Sequence, residues 1–428
     1  MNETVLTSFH DDRREYKSQV AMDTNIGGGR ENQDSCHLFS LKWDQTGEVV
    51  TIMIMLDGHG NDLGRVASEC AQATFVRFFT NNLSYLVDNT ADCLQKAFQQ
   101  ANDDIKACFQ LHLLADGAEV MESANGFLLK KRNTSNNGMS VGTWSVVQGG
   151  TTCTIAVLIK DKIFVANVGD SSAFLISPFA ALSLSADIEV EDERPKPNEG
   201  LSLQGESLKS YIELTADHSP SSSDEFIRIR NFRPWEEDSR QPCLQFVYDT
   251  PRMSKTQCPA IFNICSNGQI EVTNRGHYYK NVRREWASMV VIPESDPFSQ
   301  HALAFTRSLG DFHLQTYGVS SKPNICSVDL KKIFTRANTI HTSPVALCLI
   351  LASDGIWDNW TFDEMSSFVF SSHSSSEIFH DGEGCARVTN ALMTNNSERG
   401  NRNFGIHQDN YSTILMYISD APTFPSIN

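Results

Sequence analysis

Residues that could carry chemistry follow an apolar run near the start of this chain. Residues 49–56, VVTIMIML, read as a buried strand, and Asp57-Gly58-His59-Gly60 comes directly after them. A strand that ends in this way brings a carboxylate that can bind a metal and an imidazole that can carry a proton to one point. The other interpretation is that DGHG is only a tight strand terminus.

Three further aspartates have the same local setting. Asp170, Asp354 and Asp409 each stand at or near the end of a strand-like segment. Carboxylates gathered in one pocket repel each other and raise their own pKa values, and divalent cations remove that repulsion. Oxygen ligands alone favour Mg²⁺ or Mn²⁺ over zinc. Two such ions about 4 Å apart can activate a bridging water for attack on phosphorus. The pattern therefore predicts a shared site for hard cations.

The composition limits the classes of protein to which the chain can belong. Its 428 residues are 40% hydrophobic and carry 52 acidic against 35 basic side chains, a net charge of -17. This balance argues against nucleic-acid binding, which needs clustered Lys and Arg. The eleven cysteines show no CxxC spacing and read as reduced thiols. The polar N-terminus and the lack of a membrane-length apolar run lead us to expect an intracellular protein, cytoplasmic or nuclear, without membrane contact.

Secondary-structure patterns place these residues in a mixed domain. Apolar spacing predicts helices over 61–79, 91–109 and 361–371. Residues 152–176 predict a β-hairpin that turns at Lys160-Asp161-Lys162, and residues 346–353 and 411–418 predict strands. Because strands and helices alternate without regular βαβ spacing, an antiparallel α+β fold is favoured over a doubly wound one.

Three segments interrupt this pattern and read as insertions. Residues 113–148 and 178–210 are rich in Gly, Asn, Ser and acidic residues, and we expect solvated surface loops there. Residues 232–300 contain GHYYKNVRREW and the strand-like pieces LQFVY and MVVIP, which indicate a small folded subdomain resembling a flap.

A series of motifs in order gives the chain a family resemblance. Between about residues 25 and 418 it resembles the metal-dependent type 2C serine/threonine protein phosphatases. The matching segments are ENQDS (31–35), MLDGHG (55–60), GGTTCTIAVL (149–158), ANVGDSSAFL (166–175), ELTADHSPSSSDEFIRI (213–229), LAFTRSLGD (303–311), LILASDGIWD (349–358) and QDNYSTILM (408–416). The resemblance implies an αββα four-layer sandwich of two antiparallel sheets flanked by helices. It also implies one catalytic domain over 20–420, with the three insertions.

The resemblance implies a pair of Mg²⁺ or Mn²⁺ ions and assigns their ligands. Asp57 would bridge both ions, and the carbonyl of Gly58 would bind one of them. Asp354 and Asp409 would complete the other. Asp34 would hold metal-bound water.

Further roles follow from the same motifs. Asp170 and Asp358 would bind a third, weaker cation. His59 would be the general acid that protonates the departing Ser or Thr oxygen, a role that suits an imidazole near neutrality. The alternatives are a structural histidine, and an aspartate at 170 that only accepts turn hydrogen bonds. Asp217, His218, Arg307 and Asp311 also lie in family motifs, and we expect structural roles for them.

Two positions depart from the family pattern. Gln33 stands where many members have a glutamate, and it supplies no charge. The family often carries an arginine five residues before the first aspartate to hold the substrate phosphate. Here that position is Gly29, and a slip of one residue in the loop makes Arg30 the candidate phosphate ligand.

The leading functional prediction is a monomeric, metal-dependent hydrolase of phosphoserine and phosphothreonine in proteins. Phosphorylated proteins would be its partners. The alternative is a pseudophosphatase that keeps the fold as a binding or regulatory module. A metal-dependent nuclease is disfavoured by the acidic balance.

Overall fold

The computed structural model describes residues 5–9, 16–131, 143–178, 188–190, 210–232, 243–273, 275–298, 301–340, 345–371, 378–379 and 382–420. The strands are, in chain order, β1 (Val5–Phe9), β2 (Lys17–Asn25), β3 (Asp34–Lys42), β4 (Val49–His59), β5 (Glu119–Glu122), β6 (Leu128–Lys131), β7 (Ser145–Val146), β8 (Gly150–Thr151), β9 (Cys153–Ile159), β10 (Lys162–Val168), β11 (Ser172–Ile176), β12 (Ile188–Val190), β13 (Tyr211–Glu213), β14 (Gln245–Tyr248), β15 (Phe262–Ile264), β16 (Ile270–Val272), β17 (Ser288–Val291), β18 (Ala302–Leu303), β19 (Leu309–Gly310), β20 (Asn324–Asp329), β21 (Ala346–Ala352) and β22 (Tyr411–Ser419).

Helices fall between the strands at irregular intervals. They are α1 (Gly64–Asn81), α2 (Leu83–Asp88), α3 (Thr90–Ala115), α4 (Ser223–Arg230), α5 (Phe312–Gln315), α6 (Leu330–Ile340), α7 (Asp354–Trp357), α8 (Phe362–Ser371) and α9 (Gly384–Asn403), with single 3₁₀ turns at Lys255–Gln257 and Gly405–His407. Within the described ranges, no helix combines the length and the hydropathy that crossing a bilayer needs.

Two large sheets form the centre of the protein. The first has the strand order β1-β2-β22-β21-β11-β13, and the second has the order β12-β20-β10-β9-β4-β8-β19, with β3 added beside β4. Neighbouring strands in both sheets run antiparallel. The apolar runs of β4, β9, β21 and β22 are buried along most of their length, which explains why their sequences do not alternate between apolar and polar residues.

Alternate residues of the central strands face different hydrophobic clusters. Met53 of β4 and Leu349 of β21 belong to one cluster between the sheets. Their neighbours face outward: Ile52 packs with residues of α1 and α3, and Ile350 packs with residues of α8 and α9. This two-residue period is the one expected of strands covered on both faces. The predicted antiparallel α+β class is confirmed. The clusters favour the four-layer order, which stays a prediction.

The predicted elements are present, with shifted ends. The helices expected over 61–79 and 91–109 are α1 and α3, and the expected hairpin is β9–β10. Lys160 makes its turn with a left-handed φ of 53°. β4 does not stop at Leu56 but continues to His59, because Gly58 and His59 pair with β8.

The insertions differ from one another in structure. The expectation of solvated loops was wrong for the described part of 113–148, where α3 extends to Ala115 and β5-β6-β7 form a sheet. Phe127 and Leu128 make this segment fold, since they are buried in the cluster beside α1 and α3. Residues 132–142, 179–187 and 191–209 lie outside the described ranges. In 232–300, the sheets β14-β17-β18 and β15-β16 share a hydrophobic cluster that includes Phe246 and Val290.

A matched pair of leucines on α3 tests the core. Leu94 is fully buried, whereas Leu111 of the same helix is 69% exposed. We expect Leu94→Ala to lower the free energy of unfolding by about 2–5 kcal/mol, because it leaves a cavity in the core. Leu111→Ala should change it by no more than about 0.5 kcal/mol. Urea unfolding of both variants measures the difference, and equal effects would contradict the described packing.

Candidate active site

Antiparallel pairing of β3 with β4 sets Asp34 directly opposite Asp57. Residues opposite each other in such a pair have Cβ atoms about 5 Å apart, and like charges there are destabilising. Thr152 fixes the Asp57 backbone from the other side: its hydroxyl accepts the Asp57 N–H at 3.2 Å, and its own N–H donates to the Asp57 carbonyl at 2.8 Å. The two carboxylates are therefore held together by the sheet itself.

Asp354 and Asp409 lie at the same end of the first sheet, next to two neighbouring strands. Asp354 follows β21, Asp409 precedes β22, and these strands pair with each other. The two loops are in contact, since a Cβ added at Gly355 would lie 2.0 Å from the carbonyl oxygen of Asn410. Only glycine fits at this position. Asp409 itself is exposed and marks the solvent side of the site.

A hydrogen bond joins the acidic ends of the two sheets. The Ser353 hydroxyl donates to Oδ2 of Asp34 at 2.9 Å, and it accepts the backbone N–H of Ser412 at 3.0 Å. Ser353 thus connects β21 and β22 of the first sheet to β3 of the second. No local pattern in the sequence indicates this role.

Asp170 and Asp358 extend the acidic group on one side. Asp170 follows β10 through Gly169, which has a left-handed φ of 94°. Asp358 lies one helical turn after Asp354, to whose carbonyl it donates a backbone hydrogen bond of 2.7 Å. The sequence-predicted aspartates are therefore close enough for their charges to act on one another.

Burial and mutual repulsion raise the pKa values of Asp34, Asp57, Asp354 and Asp358. Burial is the larger cause, and it raises the pKa of Asp34 to about 7, with Asp409 adding repulsion. Burial also raises the pKa of Asp358 to about 7. The pKa of Asp57 is raised by burial and then by the charges of Asp34 and Asp354. The cluster therefore resists holding all its negative charge at neutral pH.

The cluster has the oxygen atoms that a hard cation requires. In the part of the chain that the structure describes, one buried carboxylate oxygen of each of four aspartates has no hydrogen-bond partner: Oδ1 of Asp34, Asp170, Asp354 and Asp358. Among the described residues, no three His, Cys, Asp or Glu side chains are placed so that they could hold one ion by themselves. Ions here would thus also need carbonyl or water ligands, as Mg²⁺ usually does.

Gly58 lies where the backbone comes closest to neighbouring segments. A Cβ at this position would be 2.5 Å from the Gly64 carbonyl oxygen and 2.6 Å from that of Gln33. The backbone N–H of Gly58 donates to this Gln33 carbonyl at 3.2 Å, and the Gln33 side-chain amide donates to Gly60 at 3.3 Å. Gln33 therefore helps to hold the DGHG segment in place.

His59 forms a close pair with a second aspartate. Its Nε2 lies 2.6 Å from Oδ2 of Asp311, which also accepts the Ser308 hydroxyl at 2.7 Å. Burial by itself lowers the pKa of His59, but the charge and hydrogen bond of Asp311 outweigh it and raise the pKa. Sequence reasoning missed this contact, because the partners are 252 positions apart. Asp311 has a left-handed φ of 47°, which could not be predicted from the sequence.

The other motif residues differ in their surroundings. Arg307 pairs with buried Glu225 at 2.7 Å, as its expected structural role implies. His218 is buried, and its Nδ1 lies 3.1 Å from the Gly169 carbonyl, next to Asp170. Arg30 is exposed at the end of the glycine loop, whose Gly28 N–H donates to the Gln408 carbonyl at 2.8 Å. A further basic residue, Lys280, reaches the cluster from the 232–300 insertion, and sequence reasoning did not single it out.

Comparison with known proteins identifies the family. Models of the family described as Protein phosphatase 2C match residues 23–186 and 282–403. The chain belongs to the protein phosphatase 2C family. An Arabidopsis thaliana relative named "Putative protein phosphatase 2C 50" is 25% identical over 209 residues, which are 42% of this chain and 46% of that protein. The match thus spans about half the length of this phosphatase 2C relative.

A solved structure of the family shares the fold. The serine-threonine phosphatase 2C from Toxoplasma gondii superposes with a TM-score of 0.53 at 14% identity, covering 98% of this chain and 99% of that one. At this identity the likeness supports the phosphatase 2C fold alone.

The raised carboxyl pKa values predict how metal-free stability depends on pH. Because the pKa of Asp34 is about 7 in the folded protein and near 3.8 when unfolded, the folded state holds its proton more tightly. The resulting stabilisation is complete below about pH 4 and is lost as the pH rises through about 7. We expect the chelated protein to unfold more easily at pH 8 than at pH 5.5.

Asp34→Asn provides the control for this pH dependence. Asparagine does not titrate, so the loss of stability between these two pH values should shrink, by on the order of 2 kcal/mol. Urea unfolding in the presence of chelator measures it. An unchanged pH dependence in Asp34→Asn would contradict the raised pKa.

Proposed function

We propose that this chain is a metal-dependent phosphatase that removes phosphate from phosphoserine and phosphothreonine in proteins. The observation that carries the proposal is the convergence of Asp34, Asp57, Asp354 and Asp409 from both sheets, with unpartnered carboxylate oxygens among them. Family membership supports the same reaction.

The residues present fit a pair of hard dications. Asp57, with the carbonyl of Gly58, and Asp354, with Asp409, would hold Mg²⁺ or Mn²⁺, and Asp34 would accept hydrogen bonds from their water. When bound, such ions lower the pKa of water and neutralise phosphate charge. The protein contributes the rigid frame: Thr152 and Ser353 tie Asp57 and Asp34 to their neighbours, so the ligands are in place before substrate arrives.

His59 is proposed to donate a proton to the departing oxygen. An alkoxide leaving group from Ser or Thr is strongly basic and needs this proton. Asp311 favours the protonated imidazole and orients the ring through its contact with Nε2, while Nδ1 has no hydrogen-bond partner within the described residues. The Phe305 and His59 rings pack edge to face with their centroids 4.9 Å apart, which restricts rotation of the imidazole. Arg30 stays the proposed phosphate ligand, at the exposed end of its loop.

The alternative of a binding module without catalysis is not favoured. Mutually repulsive carboxylates destabilise a fold that has no cation to neutralise them. All the aspartates predicted as metal ligands are present in this chain, which favours a site that binds cations.

Asp57→Asn tests the metal-dependent reaction. We expect Mn²⁺-dependent hydrolysis of a phosphothreonine peptide to fall at least about 100-fold, since the variant loses a charge that the centre needs. Asp44→Asn, in an exposed turn, is the matched control and should keep full activity. Phosphate release with and without chelator measures both. Hydrolysis that persists in Asp57→Asn or in chelator would reject the proposed centre.

His59→Gln tests the proton donor. We expect turnover of a phosphothreonine peptide to fall about 10²- to 10⁴-fold. Hydrolysis of p-nitrophenyl phosphate, whose leaving group needs no proton, should fall far less. Asp311→Asn should follow the same pattern more weakly, whereas His112→Gln, at a position 47% exposed on α3, should match the wild type. An equal loss on both substrates would remove His59 from this role.

A further inference from the structure

A short hairpin of the third insertion lies against the acidic cluster. Residues 278–287, the insertion hairpin, are closed by backbone hydrogen bonds from Ala287 to Tyr278 at 3.0 Å and from Lys280 to Glu285 at 2.8 Å. The rings of Tyr279 and Trp286 stack across it with centroids 4.0 Å apart. The hairpin is therefore an ordered element with a defined tip.

The tip is anchored on the segment that carries Asp358. The backbone N–H of Val282 donates to the Asp358 carbonyl at 3.1 Å. The Arg283 guanidinium donates to the carbonyl of Trp360 at 3.2 Å and lies over the Phe362 ring at 4.9 Å. These contacts fix the insertion hairpin relative to the candidate metal ligands.

This anchoring directs Lys280 toward the carboxylates. Its Nζ lies 3.8 Å from Oδ2 of Asp170 and 4.0 Å from Oε2 of Glu285. The charges of Asp358 and Asp354 act on it as well. The Lys280 side chain is 27% exposed and that of Asp170 is 15% exposed, so solvent screens this ion pair only partly. A cation from the insertion thus already faces the Asp170 side of the cluster.

We propose that Lys280 is a tethered cation of the active site, which takes the place of a third metal ion beside Asp170 and Asp358. The resemblance to the type 2C phosphatases implies a third, weaker ion there. A dication at the same place would be repelled by the ammonium at short range. A lysine needs no coordination geometry, because its ammonium is a compact charge with three donors. The inference rests on the proposed pair of ions, and it predicts a centre of two ions.

Asp170 and Asp358 could be neutralised either by Lys280 or by a third metal ion, and the number of bound ions distinguishes the two. Oδ1 of each is buried and accepts no hydrogen bond from any described residue, so an ion that displaced Lys280 would find ligands there. Lysine at 3.8 Å from Asp170 forms an ion pair and not a hydrogen bond. If Lys280 stays beside Asp170 the protein binds two ions, and if an ion displaces it the protein binds three.

Counting bound Mn²⁺ tests the proposal. The full chain is stripped with chelator and dialysed against Mn²⁺, and metal per chain is measured after folding is checked by circular dichroism. We expect two ions in the wild type and three in Lys280→Met. Lys280→Arg should keep two, because it keeps the charge. Lys255→Met, a lysine of the same insertion that pairs with Asp249 at 2.6 Å, is the matched control and should also keep two.

Three ions in the wild type would overturn the proposal, and so would two in a folded Lys280→Met protein. If Lys280→Met does not fold, Asp170→Asn decides: a count that stays at two supports a tethered cation, and a fall in the count overturns it. Turnover of a phosphothreonine peptide is measured on the same samples. Two ions without turnover would reject the phosphatase while leaving Lys280 in its role. Fewer than two ions in the wild type would overturn both.

Discussion

Carboxylates held side by side repel one another, and around Asp57 the chain holds several of them at once, with the Lys280 ammonium facing only the Asp170 side. Burial raises the pKa of Asp57, and the charges of Asp34 and Asp354 raise it further. Among the described residues, the contacts of these side chains do not offset that cost fully, since several of their oxygens are buried without hydrogen-bond partners. The strands must therefore supply the stability that keeps the acidic ends together, and bound cations would remove the strain.

The architecture supplies that stability from both sides of the site. Alternate residues of β4 and β21 enter separate hydrophobic clusters, so the strand ends that carry Asp57 and Asp354 cannot shift without disturbing two cores. Glycines let the loops meet, because any side chain at Gly355 would overlap the Asn410 carbonyl. The Ser353–Asp34 hydrogen bond then joins the two sheets at the strand ends that carry the aspartates. We propose a hydrolytic role for the site on the basis of this geometry. The role agrees with membership of the phosphatase 2C family.

Much of this could be predicted from the sequence, because local patterns encode it. The apolar run of β4 and the aspartates after strand-like segments indicated both the buried strands and their acidic ends. Contacts between distant segments could not be predicted in the same way. Nothing near His59 points to Asp311, and nothing in GHYYKNVRREW shows that Lys280 turns toward Asp170. The sheet in 113–148 was missed because a few apolar residues, Phe127 among them, outweigh a polar composition.

Anomalous scattering from a crystal grown with Mn²⁺ tests the central claim most directly, since it locates the ions without reference to activity. The account predicts a pair of strong Mn²⁺ peaks between the carboxylates of Asp57, Asp354 and Asp409. Peaks only on the outer surface, or an acidic cluster that binds no Mn²⁺, would contradict it.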